Sequence, residues 1–301
     1  MPRRRVARRA RGLTAVAATL ERLYRYPVKG LGPEPLASAV IATGDGMPGD
    51  RRFAIARGRT AYDDAHPVWL RKESFVMLMR DGDERLAALR CAYEAEGTVL
   101  VATPPDGTAC RADLATPAGR DEAAAMLNRF LGPRADGAVR VVAAGSLSLT
   151  DIPQNGLSII NLASVEDFAR RLDRPLDPLR FRANVYLAGL PAWAERAWIG
   201  HRIALGSLVV AVNAHIQRCN ATQVDPTTAA RDVETVRLLR QHYGHVDMGV
   251  YAEVVQGGRV AVGDPVRDTD GAPAIAVGPG IRRALFYVKN GWILARSRLG
   301  R

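Results

Sequence analysis

Turn-forming residues interrupt this chain so regularly that its apolar residues are left in short runs, and such runs are buried most readily as strands of a sheet. Residues 21–27 (ERLYRYP) and 37–42 read as strands, broken by a Gly/Pro-rich stretch at 30–35 and by the turn Gly44-Asp45-Gly46. Residues 52–56, 75–78, 86–94 and 98–103 continue a meander whose turns hold Asp81-Gly82-Asp83 and Glu96-Gly97. A helical period first appears at 116–131 (TPAGRDEAAAMLNRFL). There Ala124, Leu127, Phe130 and Leu131 recur at helical spacing, and Gly132-Pro133 closes the segment.

The loop at 132–137 is the expected boundary between two domains. Beyond it, 138–143 and 157–162 read as strands, and Ser164 opens a helix with Asp167 as a capping-box partner. Residues 180–187 (RFRANVYL) alternate like a strand that sets Arg180, Arg182 and Asn184 on one face, an arrangement suited to an anion or to plain solvation. Strands at 201–205 and 208–214, a helix at 232–243 and strands at 250–255 and 260–262 complete the pattern. The expected fold class is mainly β with α, an α+β architecture whose regular strand spacing predicts a barrel.

Hydrophobic residues make up 48% of the 301, enough for a full core. Cys91, Cys110 and Cys219 form no CxxC pair, and an odd, scattered set argues against a disulfide framework, so a reducing cytoplasm is the expected location. No apolar run reaches the length of about 18 residues that crosses a bilayer. The net charge of +11 resides in the ends: Arg3, Arg4, Arg5, Arg8, Arg9 and Arg11 precede the body, and Arg282, Arg283, Lys289, Arg296, Arg298 and Arg301 follow it. Removing these twelve leaves residues 12–281 at about −1, so nucleic-acid binding is not expected. The basic leader is expected to be disordered, and reads equally as a targeting peptide or as an extension without function.

The chemistry points to Cys219. In LVVAVNAHIQRCNATQVDP an apolar run ends on this cysteine, with Arg218 before it and Thr222 and Asp225-Pro226 after it. A neighbouring guanidinium favours the thiolate, the form that ligates metals or attacks electrophiles, although most free cysteines are merely packed. Dinucleotide-binding glycine loops, Walker loops, HExxH and the nucleophile elbow are all missing, and the histidines show no zinc-ligand spacing.

Tyr26-Pro27-Val28-Lys29, Gly49-Asp50-Arg51-Arg52, Arg180-Phe181-Arg182 with Asn184, Arg218-Cys219 followed by Thr222 and Val224-Asp225-Pro226, and Gly249 to Tyr251 leading to Val262-Gly263-Asp264 occur in an order that resembles the MOSC family, the amidoxime-reducing branch in particular. The resemblance covers about residues 21–266. It implies a basic leader over 1–20, an N-terminal MOSC β-barrel-like domain over 21–132, a MOSC-type β-barrel over 138–266 and a basic extension over 267–301. It further implies a molybdenum–molybdopterin cofactor ligated by Cys219. Lys29, Arg51, Arg182 and Asn184 would receive its phosphate and pterin, with Ser164, Gln217, Arg218 and Thr222 in support; guanidinium forks suit phosphate.

The implied reaction is reduction of a small N-hydroxylated substrate with electrons from a separate ferredoxin- or flavoprotein-like donor. No cysteine follows residue 266 to hold an iron–sulfur cluster, and no pyridoxal-phosphate domain is present. Two alternatives stand beside it: a carrier in which Cys219 holds sulfur or presents the cofactor, and a degenerate β-barrel binding module. Ala183 and Gln217 occupy positions where the reductase branch commonly has proline and serine, and residues 72–79 (KESFVMLM) are similar to a different bacterial branch.

Overall fold

The computed structural model describes residues 18–270. The basic leader and the C-terminal extension lie almost wholly outside them. Sixteen strands and three α-helices follow in the order β1 (Thr19–Arg25), β2 (Val28–Lys29), β3 (Glu34–Leu36), β4 (Ser38–Ile41), β5 (Phe53–Ala56), β6 (Arg90–Glu94), β7 (Val99–Thr103), β8 (Cys110–Asp113), α1 (Pro117–Leu131), β9 (Arg140–Ala143), β10 (Leu157–Asn161), α2 (Leu162–Arg171), β11 (Val185–Ala188), β12 (Arg202–Leu205), β13 (Leu208–Gln217), α3 (Thr235–Tyr243), β14 (Asp247–Gln256), β15 (Gly258–Ala261) and β16 (Val266–Asp268). The fold is α+β. No helix among the described residues is long and apolar enough to cross a membrane.

The largest sheet runs β16-β12-β13-β14-β10-β11-β1-β3 and curls. Leu20 N–H donates to Asp264 O (2.9 Å), Gly263 N–H to Leu20 O (2.8 Å) and Val266 N–H to Ala18 O (2.9 Å), so β1 is tied to the segment entering β16. Alternation explains its core. Leu157 and Ile159 of β10, Val185 and Leu187 of β11, and Leu208, Val210 and Val212 of β13 point into one cluster. The intervening Ile160 and Tyr186 face α2 and α3, where Leu162, Val165, Phe168 and Leu239 cover them. Ser158 and Asn161 interrupt the apolar run at 157–162, yet every residue of β10 is buried, because the strand is covered on both faces.

The first half packs a second core, in which β6-β7-β8 and α1 surround Val28, Phe53, Leu100 and Leu127. Helix α1 begins where Thr116 Oγ1 accepts from Gly119 N–H at 3.0 Å, a side-chain cap with Pro117 in the first turn. The strands pair across residues 132–137: β1 and β3 join the large sheet, β4 pairs with β15, and β9 pairs with β5. Thr19 and Leu20, expected in the leader, open β1, and Arg267 and Asp268, expected in the extension, lie in β16. The other first-half strands lie in sheets of two or three members: β4 with β15, β2 and β5 with β9, and β6, β7 and β8 together.

Other expectations are corrected. Residues 180–187 do not form one strand: Pro178–Phe181 is a 3-10 turn capped by Asp177, Arg182 has φ 51°, and only Val185–Ala188 is extended. Arg180 is drawn inward, 1% exposed at its side chain, and pairs with Asp225 (2.7 Å) and Asp232 (2.8 Å), which overrides the alternation. Helix α2 is capped by Asn161, whose side chain accepts from Ala163 N–H. Asp167 accepts instead from Trp193 Nε1 and the Tyr243 hydroxyl. Residues 75–78 touch the sheet through a single bridge, Ala56 to Phe75, and β8 went unread because Arg111 and Asp113 dilute its apolar pattern.

A buried charge network fixes the first half. Asp83, fully buried, is shared by Arg57 and by Arg134 (2.8 Å), while Asp136 lies 3.0 Å from Arg57. Removing one member of such a network leaves uncompensated charge, at about 3–5 kcal/mol. Asp83→Ala is expected to lower the urea unfolding free energy by about that much, and a loss under about 1 kcal/mol would contradict the role assigned to the network.

Candidate functional site

Lys29 enters the interior on β2, a two-residue strand parallel to β5. The residue is 3% exposed, and its ammonium donates to Leu149 O (2.6 Å) and Asp151 Oδ1 (2.7 Å). Burial pushes the Lys29 pKa down, against the pull of Asp151. Burial would push Asp151 up, but Lys29, Lys72 and Arg51 together hold it well below the usual carboxylate range. Gly30 follows at φ 96°, and a Cβ there would meet Val76 O at 2.7 Å, so the chain leaves Lys29 by a path that favours glycine.

The Gly49-Asp50-Arg51 turn sets the next cation. Asp50 is buried, accepts from Tyr26 N–H through Oδ1 (2.8 Å) and pairs with the Arg51 guanidinium through Oδ2. Arg51 has φ 49°, donates its N–H to Tyr26 O (2.7 Å) and reaches Arg182 O through Nη2 (3.1 Å). Both the Arg51 and Arg182 guanidiniums lie 4.5 Å from the centroid of the Tyr26 ring. Among the described residues Arg182 has no carboxylate partner. Burial pushes its pKa down, and the neighbouring Arg51 adds to this.

Cys219 stands just past β13, half-buried, at the cap of the short turn Asn220–Gln223. Its carbonyl accepts from Thr222 N–H (3.1 Å) and Thr222 Oγ1 (2.9 Å), and that same hydroxyl bonds Thr235 at the start of α3. Arg218 is committed to carbonyls: Nη1 to Phe181 (2.8 Å) and Nε and Nη2 to Met248. Burial pushes its pKa down, while Tyr251, Tyr186 and Cys219 pull the other way. Arg231 ties the following loop to the first half, donating to Asn220 O (3.3 Å), Leu78 O (2.9 Å) and Arg80 O (2.6 Å).

These segments enclose an open cleft of about 980 Å³. Lys29, Arg51, Arg182, Asn184, Gln217, Arg218, Cys219 and Thr222 all line it. Ser164 does not. It lies inside α2, fully buried, donating to Glu195 (2.8 Å) and accepting from Trp193 N–H. Asn184 braces the floor between β10 and β11, where Oδ1 accepts from Ser158 Oγ (2.8 Å) and Ser158 N–H (3.2 Å) and Nδ2 donates one of its two N–H groups to Tyr24 O.

Asp151, Tyr251 and Asn213 are among the lining residues that escaped the sequence reading. Asp151 sits in a polar loop that carries no local signal. Tyr251, whose hydroxyl pKa is pushed up to about 12 by burial first and Asp151 next, lay inside a recognised motif without a role. Asn213 occupies a bulge, because Val212 pairs with Ala252 and Ala214 with Tyr251, and the extra residue is re-aimed into the cleft. Its Oδ1 is buried without a hydrogen-bond partner. A lone asparagine in VVAVNAHI was the available signal.

Residues 146–267 match the MOSC domain family. The chain is 25% identical to mitochondrial amidoxime-reducing component 1 of Mus musculus, over 88% of this chain and 86% of that protein. It is 28% identical to mitochondrial amidoxime reducing component 2 of Homo sapiens, over 88% and 87%. Among solved structures, the YuaD protein of Bacillus subtilis aligns at 15% identity and TM-score 0.40, over 83% of this chain and 94% of that one. The chain thus carries a MOSC domain and is homologous over most of its length to the amidoxime-reducing components. The expectation of a cytoplasmic location is overturned, because these relatives are named as mitochondrial components. Scattered, unpaired cysteines argue against a disulfide framework but do not tell one reducing compartment from another.

The Lys29–Asp151 pair makes an acid-limb prediction. The folded Asp151 pKa lies below the unfolded value of about 3.9, so its contribution is complete above that value and is lost as pH falls toward the folded one. The stability gap between wild type and Asp151→Asn, measured by urea unfolding, should shrink as pH is taken from about 6 to about 3. A gap independent of pH would contradict the pairing.

Proposed function

We propose that this protein is a molybdenum-cofactor-dependent oxidoreductase that reduces N-hydroxylated compounds. The observation that carries the reading is that a half-buried, unpaired cysteine shares one cleft with Lys29, Arg51 and the guanidinium of Arg182, which among the described residues has no carboxylate partner. Homology to the amidoxime-reducing components supports a redox role in general. Among the described residues no three His, Cys, Asp or Glu side chains gather to hold a metal. A metal centre here would therefore rely on a bound organic ligand for most of its donors.

The donor set fits such a group. Arg182, with no carboxylate to satisfy, would take its phosphate, backed by the charge of Lys29 and by Arg51, which Asp50 aligns. The orphaned Asn213 Oδ1 would accept a pterin N–H. Cys219 would offer a soft sulfur to molybdenum. When bound, the cofactor supplies two-electron chemistry at oxygen, for the net conversion R–NHOH + 2e⁻ + 2H⁺ → R–NH₂ + H₂O, with electrons from a separate donor protein. The chain's own residues bind and orient. Arg218 and Thr222 pin the backbone on either side of the sulfur, and Lys29 holds its proton at Nζ against the ionised carboxylate of Asp151.

Protein from a cofactor-producing host should contain molybdenum and pterin and should reduce benzamidoxime with an artificial donor. Cys219→Ala is expected to reduce turnover to background. Arg182→Ala, which removes charge-assisted bonds of about 1.5–3 kcal/mol, should weaken cofactor retention by about tenfold to a hundredfold. Delivery of cofactor or sulfur to an acceptor without turnover would favour a carrier role for Cys219.

A further inference from the structure

A second cleft of about 660 Å³ adjoins the first as a second lobe, with Thr150, Asn155 and Gly156 lining both. The second lobe is walled by the loops at 45–50 and 145–148. The two sides come close, since a Cβ on Gly46 would meet Gly156 O at 3.1 Å. The charges lining this lobe are unequal. Asp50 is buried and spent on Tyr26 N–H and Arg51, and Asp45 is exposed. Arg52 is half-buried, and among the described residues no hydrogen bond or ion pair reaches its guanidinium. Beside it Leu147 leaves 40% of its surface in water, one of few large apolar side chains to do so, and Met47 and Pro48 extend that wall.

An unpaired guanidinium next to an apolar wall suits an organic anion: the body lies on Leu147, Met47 and Pro48 while a carboxylate or phosphate meets Arg52. The lobe containing Cys219 is where the reacting centre would sit. The lobe with Arg52 then remains for whatever the reacting group is attached to.

We propose that the second lobe holds the body of the substrate and that Arg52 selects substrates carrying a carboxylate or phosphate. This rests on the reductase reading for the identity of the reacting group, and on the unpaired Arg52 for the preference. The probes are 4-carboxybenzamidoxime and benzamidoxime, compared by calorimetric binding to the purified protein and by kcat/KM of the cofactor-loaded enzyme. Wild type is expected to favour the carboxylate about tenfold, the scale of one charge-assisted contact, Arg52→Ala to lose the preference and Arg52→Lys to keep part of it. Equal binding of both probes by wild type, or a preference that survives in Arg52→Ala, overturns the proposal. Binding through Arg52 without reduction of either probe removes the reductase reading and leaves the subsite standing. Reduction of both at equal kcat/KM does the reverse.

Discussion

Two guanidinium groups held against one buried phenol ring set the conditions for everything else in the site. The Arg51 and Arg182 charges both lie 4.5 Å from the Tyr26 ring centroid and would repel each other if left alone. The ring face attracts each of them, an effect worth up to about 2 kcal/mol where water is excluded, and Asp50 neutralises one. Both arginines adopt a left-handed backbone, φ 49° and 51°, at a cost of about 1–3 kcal/mol each for a side-chain-bearing residue. Such strain persists where the surroundings over-determine it. Here Asp50 clamps the Tyr26 N–H, Tyr26 O receives Arg51 N–H, and β1 is paired to β11 just beyond Arg182.

Around that centre the fold uses arginine mostly as a fastener. Arg180 binds the loop that follows Cys219 through Asp225 and Asp232, Arg218 ties the cysteine's own backbone to β14 and to Phe181, and Arg231 fastens the same loop to the first half of the chain. The cysteine is therefore held from three sides. Arg182 is different, because no carbonyl or carboxylate claims its guanidinium among the described residues, and Arg52 differs in the same way one lobe further on. In a chain where most inward-facing cations are satisfied, the unsatisfied ones mark where ligand charge would be met.

Strands with clear alternation or firm turn boundaries, such as β7 and β13, and a helix with a cap and a Gly-Pro stop, such as α1, were readable within a residue or a few. The run at 180–187 was not, because a buried ion pair and a left-handed arginine impose a turn where the local pattern reads as extended. Ser164 was placed at a helix start by its residue type, whereas Asn161 three residues earlier makes the cap and frees the serine for Glu195. The convergence of Lys29, Arg51, Arg182 and Cys219 was legible only as a family resemblance. Nothing local says that β1 should pair with β11, or β4 with β15, each more than a hundred residues away. Asp151 and Asn213 show the same limit, since one acts through a distant lysine and the other through a bulge created by its pairing partner.

Molybdenum K-edge X-ray absorption on the loaded protein addresses the Cys219 sulfur most directly. Wild type should show one more sulfur scatterer around the metal than Cys219→Ala, with the pterin content of the two unchanged. An identical sulfur count in both proteins would contradict ligation by Cys219 and leave the cation-lined cleft without its proposed chemistry.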